Sequence, residues 1–255
     1  MRAIFYSNKG PMRNHNEDAL FVGGNIITGC SMSLPAEVEI ESSEGCFVVI
    51  DGMGGYEGGE KAARIVATSF MLKSEDCKIS NSDANDKITS VLNEAVKRIA
   101  VTVQEKPELS AMGAVIAGVV FSADKMFIFN CGDCRVYRQQ GQYLEKLSHD
   151  HSVVQELFDL GEIEEDEMRT HAKKNAVTAC VSGKAEDVDI YVRELHKGNE
   201  RFLVCSDGVW EAMSIDEIEE CLCENALETA NNLAEKLFAM QERCNDNVSF
   251  IIIEN

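Results

Sequence analysis

Proline is scarce in this chain, which has only three prolines among 255 residues. No proline-rich, serine-rich or glycine-rich stretch is long enough to act as a linker between two separately folding halves. Hydrophobic residues make up 45% of the sequence, enough to build one sizeable core. We therefore predict a single domain over residues 1–255.

Long hydrophobic runs are also lacking, and none approaches the roughly 20 residues that a membrane-spanning helix needs. Residues 1–9 do not combine a cationic segment with an apolar one, as an export signal would. We expect a cytoplasmic monomer whose ten cysteines stay reduced. Cys131-x-x-Cys134 and Cys221-x-Cys223 leave a zinc site or a redox pair open, but no histidine completes a ligand set at the usual spacing.

Basic residues are few, because 24 Lys and Arg stand against 44 Asp and Glu, for a formal charge of −20. Nucleic acids and anionic membranes bind to basic patches, so neither is an expected partner. An acidic surface does suit divalent cations. If such a protein acts on a phosphate, a metal ion or an arginine must reverse the local charge.

Two kinds of hydrophobic pattern alternate along the chain. Spacings of three and four residues predict amphipathic helices, and short β-branched or aromatic runs predict strands. The helical patterns are Ala62–Phe70, Ile88–Val103 and Ala226–Phe238. The strand patterns are Ile4–Tyr6, Cys46–Ile50, Val115–Phe121, Met126–Phe129, Ile190–Val192, Phe202–Cys205 and Val248–Ile253.

Several of these strands are apolar on both faces, so each must lie between two other layers. Short turns at 122–125 and 139–141 favour antiparallel neighbours. The sequence thus favours sheets stacked under helices. The charged stretch Phe158–Lys174 has no sustained period and is predicted to be a surface excursion, and Gly23–Gly45 is predicted to be an extended loop or hairpin.

Aspartates recur at the ends of the predicted strands. Asp51 and Asp207 each follow an apolar run and precede a glycine, Asp133 follows the run that begins at Met126, and Asp246 comes just before the last run. If the last strand is antiparallel to the others, the four carboxylates meet at one edge of the sheets. Carboxylates this close repel one another unless a hard cation lies among them, and Mg²⁺ or Mn²⁺ fits best.

Further candidate residues lie near the N-terminus. Glu17 and Asp18 precede the apolar run Ala19–Val22, and are again acids at a strand start. Arg13 lies close by in sequence, and its planar guanidinium can make two hydrogen bonds to one phosphate group. The tight turn at Gly52 could expose a carbonyl oxygen as one more metal ligand.

Taken in order, these residues resemble the signature series of the metal-dependent protein phosphatases, the type 2C serine/threonine phosphatases. The resemblance extends over the whole chain. It rests on Arg13-x-x-Asn16-Glu17-Asp18, Asp51-Gly-Met-Gly-Gly55, Gly132-Asp133-Cys-Arg135, Ser206-Asp207-Gly208 and Asp246-Asn247. It implies an α+β fold, a four-layer αββα sandwich with two central antiparallel sheets flanked by pairs of helices.

The resemblance also implies a role for each candidate residue. Arg13 binds the substrate phosphate, and Asp51 bridges two Mg²⁺ or Mn²⁺ ions that activate the attacking water. The implied metal ligands are the Gly52 carbonyl, Asp207 and Asp246 for the first ion, Glu17 and Asp18 for the second, and Asp133 with Asp207 for a weaker third. A flap-like insertion covers about residues 155–178.

The sequence departs from the family at a few positions. Met53 replaces a histidine that many animal members use as a proton donor, so the general acid is unassigned, and His149-Asp150-His151 is predicted to be structural. The expected partners are phosphorylated proteins, including a serine/threonine kinase and its substrates. The alternatives are a catalytically silent phosphoprotein-binding regulator with the same fold, and a metal-dependent phosphodiesterase or nuclease, which the charge of −20 disfavours.

Overall fold

The computed structural model describes residues 1–73, 84–123, 125–184, 188–240 and 242–255. Its strands are β1 (Arg2–Asn8), β2 (Ala19–Val22), β3 (Asn25–Thr28), β4 (Ala36–Glu39), β5 (Gly45–Met53), β6 (Gly113–Phe121), β7 (Lys125–Cys131), β8 (Arg135–Gln140), β9 (Tyr143–Lys146), β10 (Val181–Ser182), β11 (Tyr191–His196), β12 (Arg201–Cys205) and β13 (Val248–Glu254). Its helices are α1 (Tyr56–Leu72), α2 (Ala84–Glu105), α3 (Val153–Asp159), α4 (Glu165–Met168), α5 (Asp207–Trp210), α6 (Ile215–Glu219) and α7 (Ala226–Ala239), with a 3₁₀ turn at Pro107–Leu109.

The strands form two sheets in which every described pair is antiparallel. The first sheet has the order β4-β1-β13-β12-β8-β9, and the second has the order β11-β7-β6-β5-β2-β3 with β10 beside β6. The last strand, β13, therefore lies in the middle of the first sheet. There it pairs with β1 on one side and β12 on the other.

The two sheets pack face to face, and helices cover both outer faces. Strand β5 illustrates the layering, because Phe47 and Val49 join the cluster between the sheets while Val48 and Ile50 pack beneath α1 and α2. Helices α5, α6 and α7 cover the first sheet through a third cluster that includes Trp210. The predicted four-layer αββα sandwich is confirmed.

Each of the three predicted long helices is present, as α1, α2 and α7. In each helix most of the apolar positions form one buried stripe, as the spacing of three and four residues requires, although Phe238 at the end of α7 is 40% exposed. Helix α7 begins where the Asn225 side chain accepts hydrogen bonds from the backbone N–H groups of Leu227 and Glu228. Such a cap satisfies N–H groups that have no partner within the helix.

The connecting segments differ from the prediction in detail. Residues 23–45 do form a hairpin, since β2 and β3 pair across Gly23-Gly24, but they also contribute β4, whose alternating charged residues concealed it. The excursion Phe158–Lys174 contains the end of α3 and the short α4, which buries Met168. The predicted turn at 122–125 includes position 124, which lies outside the described residues.

Candidate metal centre

A cleft of about 250 Å³ opens at one end of the two sheets. Antiparallel pairing brings the C-terminal ends of β5, β7 and β12 to the same edge as the N-terminal ends of β2 and β13. The residues that line the cleft are Arg13, Glu17, Asp51, Gly52, Met53, Gly54, Gly55, Val115, Asp133, Asn175, Val177, Asp207, Asp246 and Asn247.

Asp51 and Gly52 enter the cleft from the end of β5. Because Phe47 and Val49 point between the sheets, the alternation of a strand turns Asp51 to the same side. At position 52 a Cβ atom would lie 2.1 Å from the Gly59 carbonyl oxygen and 2.6 Å from that of Glu17. Only glycine allows this close approach between β5, the first turn of α1 and the N-terminal segment.

The N-terminal segment and the start of β13 meet at Asn247. Its side-chain amide donates to the carbonyl oxygens of Lys9 at 2.9 Å and His15 at 2.8 Å, and its Oδ1 accepts from the Glu17 N–H at 2.8 Å. Together these bonds fix the backbone that presents Arg13 and Glu17. The sequence marked Asn247 only as part of a motif, and its anchoring role depends on contacts between distant parts of the chain.

Arg13 is held at the rim of the cleft. Its Nη2 lies 2.6 Å from Asp246 Oδ2, and its Nε donates to the Asn245 carbonyl oxygen at 3.1 Å. Half of the side chain, 49%, stays exposed. The guanidinium is thus oriented by Asp246 and still accessible to a ligand in the cleft.

Asp18 lies beneath the cleft and is fully buried. The hydroxyl group of Ser206 donates to Asp18 Oδ2 at 3.1 Å, while Asp18 Oδ1 has no hydrogen-bond partner. Its own backbone N–H is held by Asn16 Oδ1 at 3.1 Å. From this position Asp18 is better suited to contact a metal ion through a water molecule than to bind the ion directly in the cleft.

The carboxyl groups of the cleft are electrostatically unsatisfied. Burial and the neighbouring carboxylates raise the pKa of Asp51 and of Asp207 well above their usual range. Mainly through burial, the pKa values of Asp18 and Asp133 rise to about 7. Asp207 Oδ1 is also buried without a hydrogen-bond partner. A divalent cation would resolve this repulsion, so the residues fit a metal centre.

The cleft fits metal ions that keep part of their hydration shell when bound. Within the described ranges, no three His, Cys, Asp or Glu side chains converge closely enough to hold an ion by themselves. Mg²⁺ usually retains several water molecules and binds through one or two carboxylates, so a closed cage of side chains is not required. The Gly52 carbonyl group, which also lines the cleft, could supply a further oxygen.

A buried ion pair supports Asp133 from behind. Arg135 donates to Asp150 Oδ2 from Nε at 2.8 Å and from Nη2 at 2.6 Å, and its guanidinium lies 3.6 Å from the centre of the Trp210 ring. Trp210 Nε1 in turn donates to the Asp133 carbonyl oxygen at 2.9 Å. The predicted structural role of the 149–151 segment agrees with this geometry, since Asp150 holds Arg135 and His151 Nδ1 accepts from the Gly132 N–H at 3.2 Å.

Just after the charged excursion, Asn175 and Val177 line the cleft, and Lys174, the last residue of the excursion, pairs with Glu211. The sequence did not single out this ion pair. Met53 lines the wall where the resemblance led us to look for a histidine, and no histidine lines the cleft in the described part of the chain.

The cysteine pairs that could have suggested zinc or redox chemistry lie apart from the cleft lining. Cys131 packs beneath α1 and α2, whereas Cys134 packs between the sheets, so the two thiols belong to different layers. Cys131, Cys134, Cys221 and Cys223 are all free thiols.

Comparison with known proteins establishes the class. The sequence profile described as "Protein phosphatase 2C" matches residues 36–249, and the chain belongs to this family. The predicted family and the predicted enzyme class, a protein phosphatase, are therefore confirmed. The phosphodiesterase or nuclease alternative is not supported.

Individual relatives agree with the family. The chain is 27% identical over 263 residues to the serine/threonine phosphatase stp of Listeria monocytogenes, covering 100% of this chain and 96% of that protein. Staphylococcus aureus Stp1 has a similar structure, with a TM-score of 0.84, 24% identity, and coverage of 99% and 94% of the two chains. The catalytic domain of PstP in complex with two manganese ions matches with a TM-score of 0.78, 23% identity, and coverage of 100% and 99%. Among the described residues, no helix combines the length and the apolar character needed to span a bilayer.

Proposed function

We propose that this protein removes phosphate from phosphoserine and phosphothreonine in other proteins, and that residues 1–255 act as one catalytic domain with a flap-like insertion at about 155–178. The observation that carries the proposal is the meeting of Asp51, Asp133 and Asp207 in one cleft with Arg13 at its rim. When bound, two Mg²⁺ or Mn²⁺ ions would lower the pKa of a shared water molecule and offset the charge of the phosphoryl group.

The proposed ligands follow from the arrangement of the cleft. Asp51 would bridge two ions, and the Gly52 carbonyl, Asp207 and Asp246 would complete the protein ligands of the first. Glu17 would hold the second ion, with the buried Asp18 acting through water. Asp133, beside Asp207, would form a third and weaker site. The pair of manganese ions bound to the similar PstP domain supports a two-ion centre.

Arg13 would bind the phosphate of the substrate. Because Asp246 and the Asn245 carbonyl already fix its side chain, little rotational freedom is lost when a phosphate binds. The guanidinium would face phosphoryl oxygens whose charge increases as the bond to the leaving oxygen lengthens. Met53 cannot donate a proton, so the leaving oxygen would be protonated from solvent within the cleft.

The proposed partners are a serine/threonine kinase and its phosphorylated substrates, and this part rests on family membership alone. We further propose a monomer. The free thiols of Cys131, Cys134, Cys221 and Cys223 suit the reducing conditions of the cytoplasm, which we propose as its location.

The decisive experiment measures phosphate release from a phosphothreonine peptide in Mn²⁺, in Mg²⁺ and in EDTA, with an Asp207→Asn variant alongside. We expect release that depends on metal, disappears in EDTA and falls at least about 100-fold in the variant, because losing a ligand exceeds the 10- to 100-fold cost of losing a residue that only supports one. No release with either metal from a folded protein would instead favour a silent phosphoprotein-binding regulator.

A further inference from the structure

A second cleft, which we call the lateral groove, lies beside the metal centre and takes no part in the proposed reaction. Its volume is about 500 Å³, and it runs between the edge strand β9, helix α4 of the charged excursion, and helix α6. The strand-end aspartates do not line it. Its walls combine an apolar floor with charged rims, which is the lining that a long amphipathic side chain requires.

The floor of the lateral groove is formed by large apolar side chains. Met168, Trp210, Met213 and Ile218 form its base, and each is no more than 1% exposed. The accessible apolar surface comes from Tyr143, which is 73% exposed, and from Ile215, which is 38% exposed. An aliphatic chain can therefore lie against these two side chains and remove their apolar surface from water.

Acidic side chains from two helices line the rims of the groove. Glu165 and Asp166 are exposed on α4, and Asp216 is exposed on α6. Glu219 on α6 accepts the Leu144 N–H at 2.7 Å, so this point of the edge strand is not open to pairing with another strand. Recognition in the groove therefore depends on side chains.

The cations of the groove do not reverse this balance. Arg135 is engaged with Asp150 and Tyr137, and Lys146 donates to Gln155 Oε1 at 2.9 Å. Arg169 lines the groove as well and is partly buried. A cationic head group at the rims would meet acidic side chains from both helices.

The groove adjoins the metal centre along the chain. Arg135 follows Asp133 by two residues, and Trp210 lies one helical turn, about 5 Å, beyond Asp207. An extended polypeptide advances about 3.3 Å per residue. A residue two to four positions from a phosphorylated one in the metal centre would therefore reach the lateral groove.

We propose that the lateral groove binds a lysine or arginine of the substrate protein, two to four residues from the phosphorylated residue. The aliphatic stem packs on Tyr143 and Ile215, and the cation lies near Asp216 and the α4 acids, as long basic side chains bury their stems and keep their charge in water. This inference rests on the proposed function and adds sequence preference to it.

The test compares three phosphothreonine peptides that carry Lys, Ala or Glu two to four residues from the phosphorylated residue, on either side. An aryl phosphate, which is too small to reach the groove, serves as the reference substrate. We expect kcat/KM to be about 10-fold higher for the best Lys peptide than for its Ala counterpart at low salt, a difference of about 1.4 kcal/mol. The preference should weaken as salt screens the charges.

Charge reversal locates the effect. Asp216→Lys and Asp166→Lys should reduce the Lys preference to within about twofold and leave aryl phosphate hydrolysis unchanged. Glu235→Lys makes the same change in net charge on an exposed position of α7 and should keep the preference. The proposal would be overturned if the wild type hydrolysed the Lys, Ala and Glu peptides at equal rates. It would also be overturned if the Glu235→Lys control lost the Lys preference as fully as the groove variants. Absence of aryl phosphate hydrolysis in the wild type would instead contradict the proposed function itself.

Discussion

Both ends of the sheet sandwich contain carboxylates, but the two ends differ in whether arginine side chains pair with them. At the end opposite the metal centre, Arg201 Nη2 lies 2.6 Å from Glu254 Oε1 and also donates to backbone oxygens, and Arg138 bonds both Glu145 and Glu200. At the metal centre, the half-buried Asp51 has no such arginine or lysine partner among the described residues.

The cavity at the paired end, about 510 Å³, is larger than the 250 Å³ metal cleft. Its size does not make it a site, because Arg201 is already satisfied by carboxylate, amide and carbonyl oxygens. Although Arg13 pairs with Asp246 in the cleft, no described ion pair neutralises Asp51 or Asp207, and this distinguishes the metal cleft better than volume does. The following three predictions test that distinction.

The largest effect is expected for Asp51→Asn. Removing the proposed bridging ligand should lower kcat at least about 1000-fold, which corresponds to about 4 kcal/mol of transition-state stabilisation. The melting temperature in EDTA should stay the same or rise, because one of several mutually repelling carboxylates is gone. Phosphate release and calorimetry on the same samples measure both quantities.

Glu254→Gln provides the matched control at the opposite end. It makes the same change from acid to amide, but should preserve kcat and lower the melting temperature, since it weakens the pair with Arg201. If Asp51→Asn instead destabilises the metal-free protein as Glu254→Gln does, the contrast between the two ends is wrong.

An intermediate effect is expected from pH in the absence of metal. The pKa values of Asp18 and Asp133 are about 7 in the folded protein, against about 3.9 for an aspartate in an unfolded chain. Between these values the folded state binds more protons, so the free energy of unfolding falls as pH rises. The slope is at most about 1.4 kcal/mol per pH unit for each extra proton held.

Unfolding in EDTA between pH 5.5 and 8 measures this slope, with saturating Mn²⁺ as the comparison. Bound metal should restore stability most strongly at the high-pH end, where the carboxylates are ionised. A stability that is flat or increasing with pH in EDTA would show that the cleft carboxylates are satisfied without metal.

The smallest effect is expected for Arg201→Met. The side chain is 15% exposed and bonds Glu254, Gln139 and two backbone carbonyls, so its loss should lower the free energy of unfolding by about 2 kcal/mol. Activity should stay within about twofold of wild type. Chemical denaturation and a phosphatase assay give the two values, and a large loss of activity would mean that the paired end also contributes to the reaction.

The layers of the fold were predictable because their signals are local. Spacings of three and four residues identified α1, α2 and α7, and apolar runs identified the central strands. Strand β4 was missed because the half-buried Ala36 and Val38 alternate with two exposed glutamates over only four residues, a pattern too short to stand out. Its pairing with β1 depends on a partner more than 30 residues away.

The cleft was predictable to a similar extent. Asp51, Asp133, Asp207 and Asp246 could be placed at one edge, because strand ends and antiparallel order are visible in the sequence. The bonds of Asn247 to the N-terminal segment and the Lys174–Glu211 pair could not, since each joins elements that only tertiary packing brings together. The roles of the aspartates as metal ligands, and of Asn247 and the ion pair as supports, stay predictions.

The contact between Arg13 and Asp246 spans 233 positions, and Asn247 ties the same two regions together. On a ribosome that adds about 5 to 20 residues per second, these partners are made roughly 10 to 50 seconds apart. The first sheet also lacks its central strand until β13 has emerged from the exit tunnel. A nascent chain therefore lacks the proposed phosphate site until then, and we expect its catalytic competence to begin only after β13 inserts between β1 and β12.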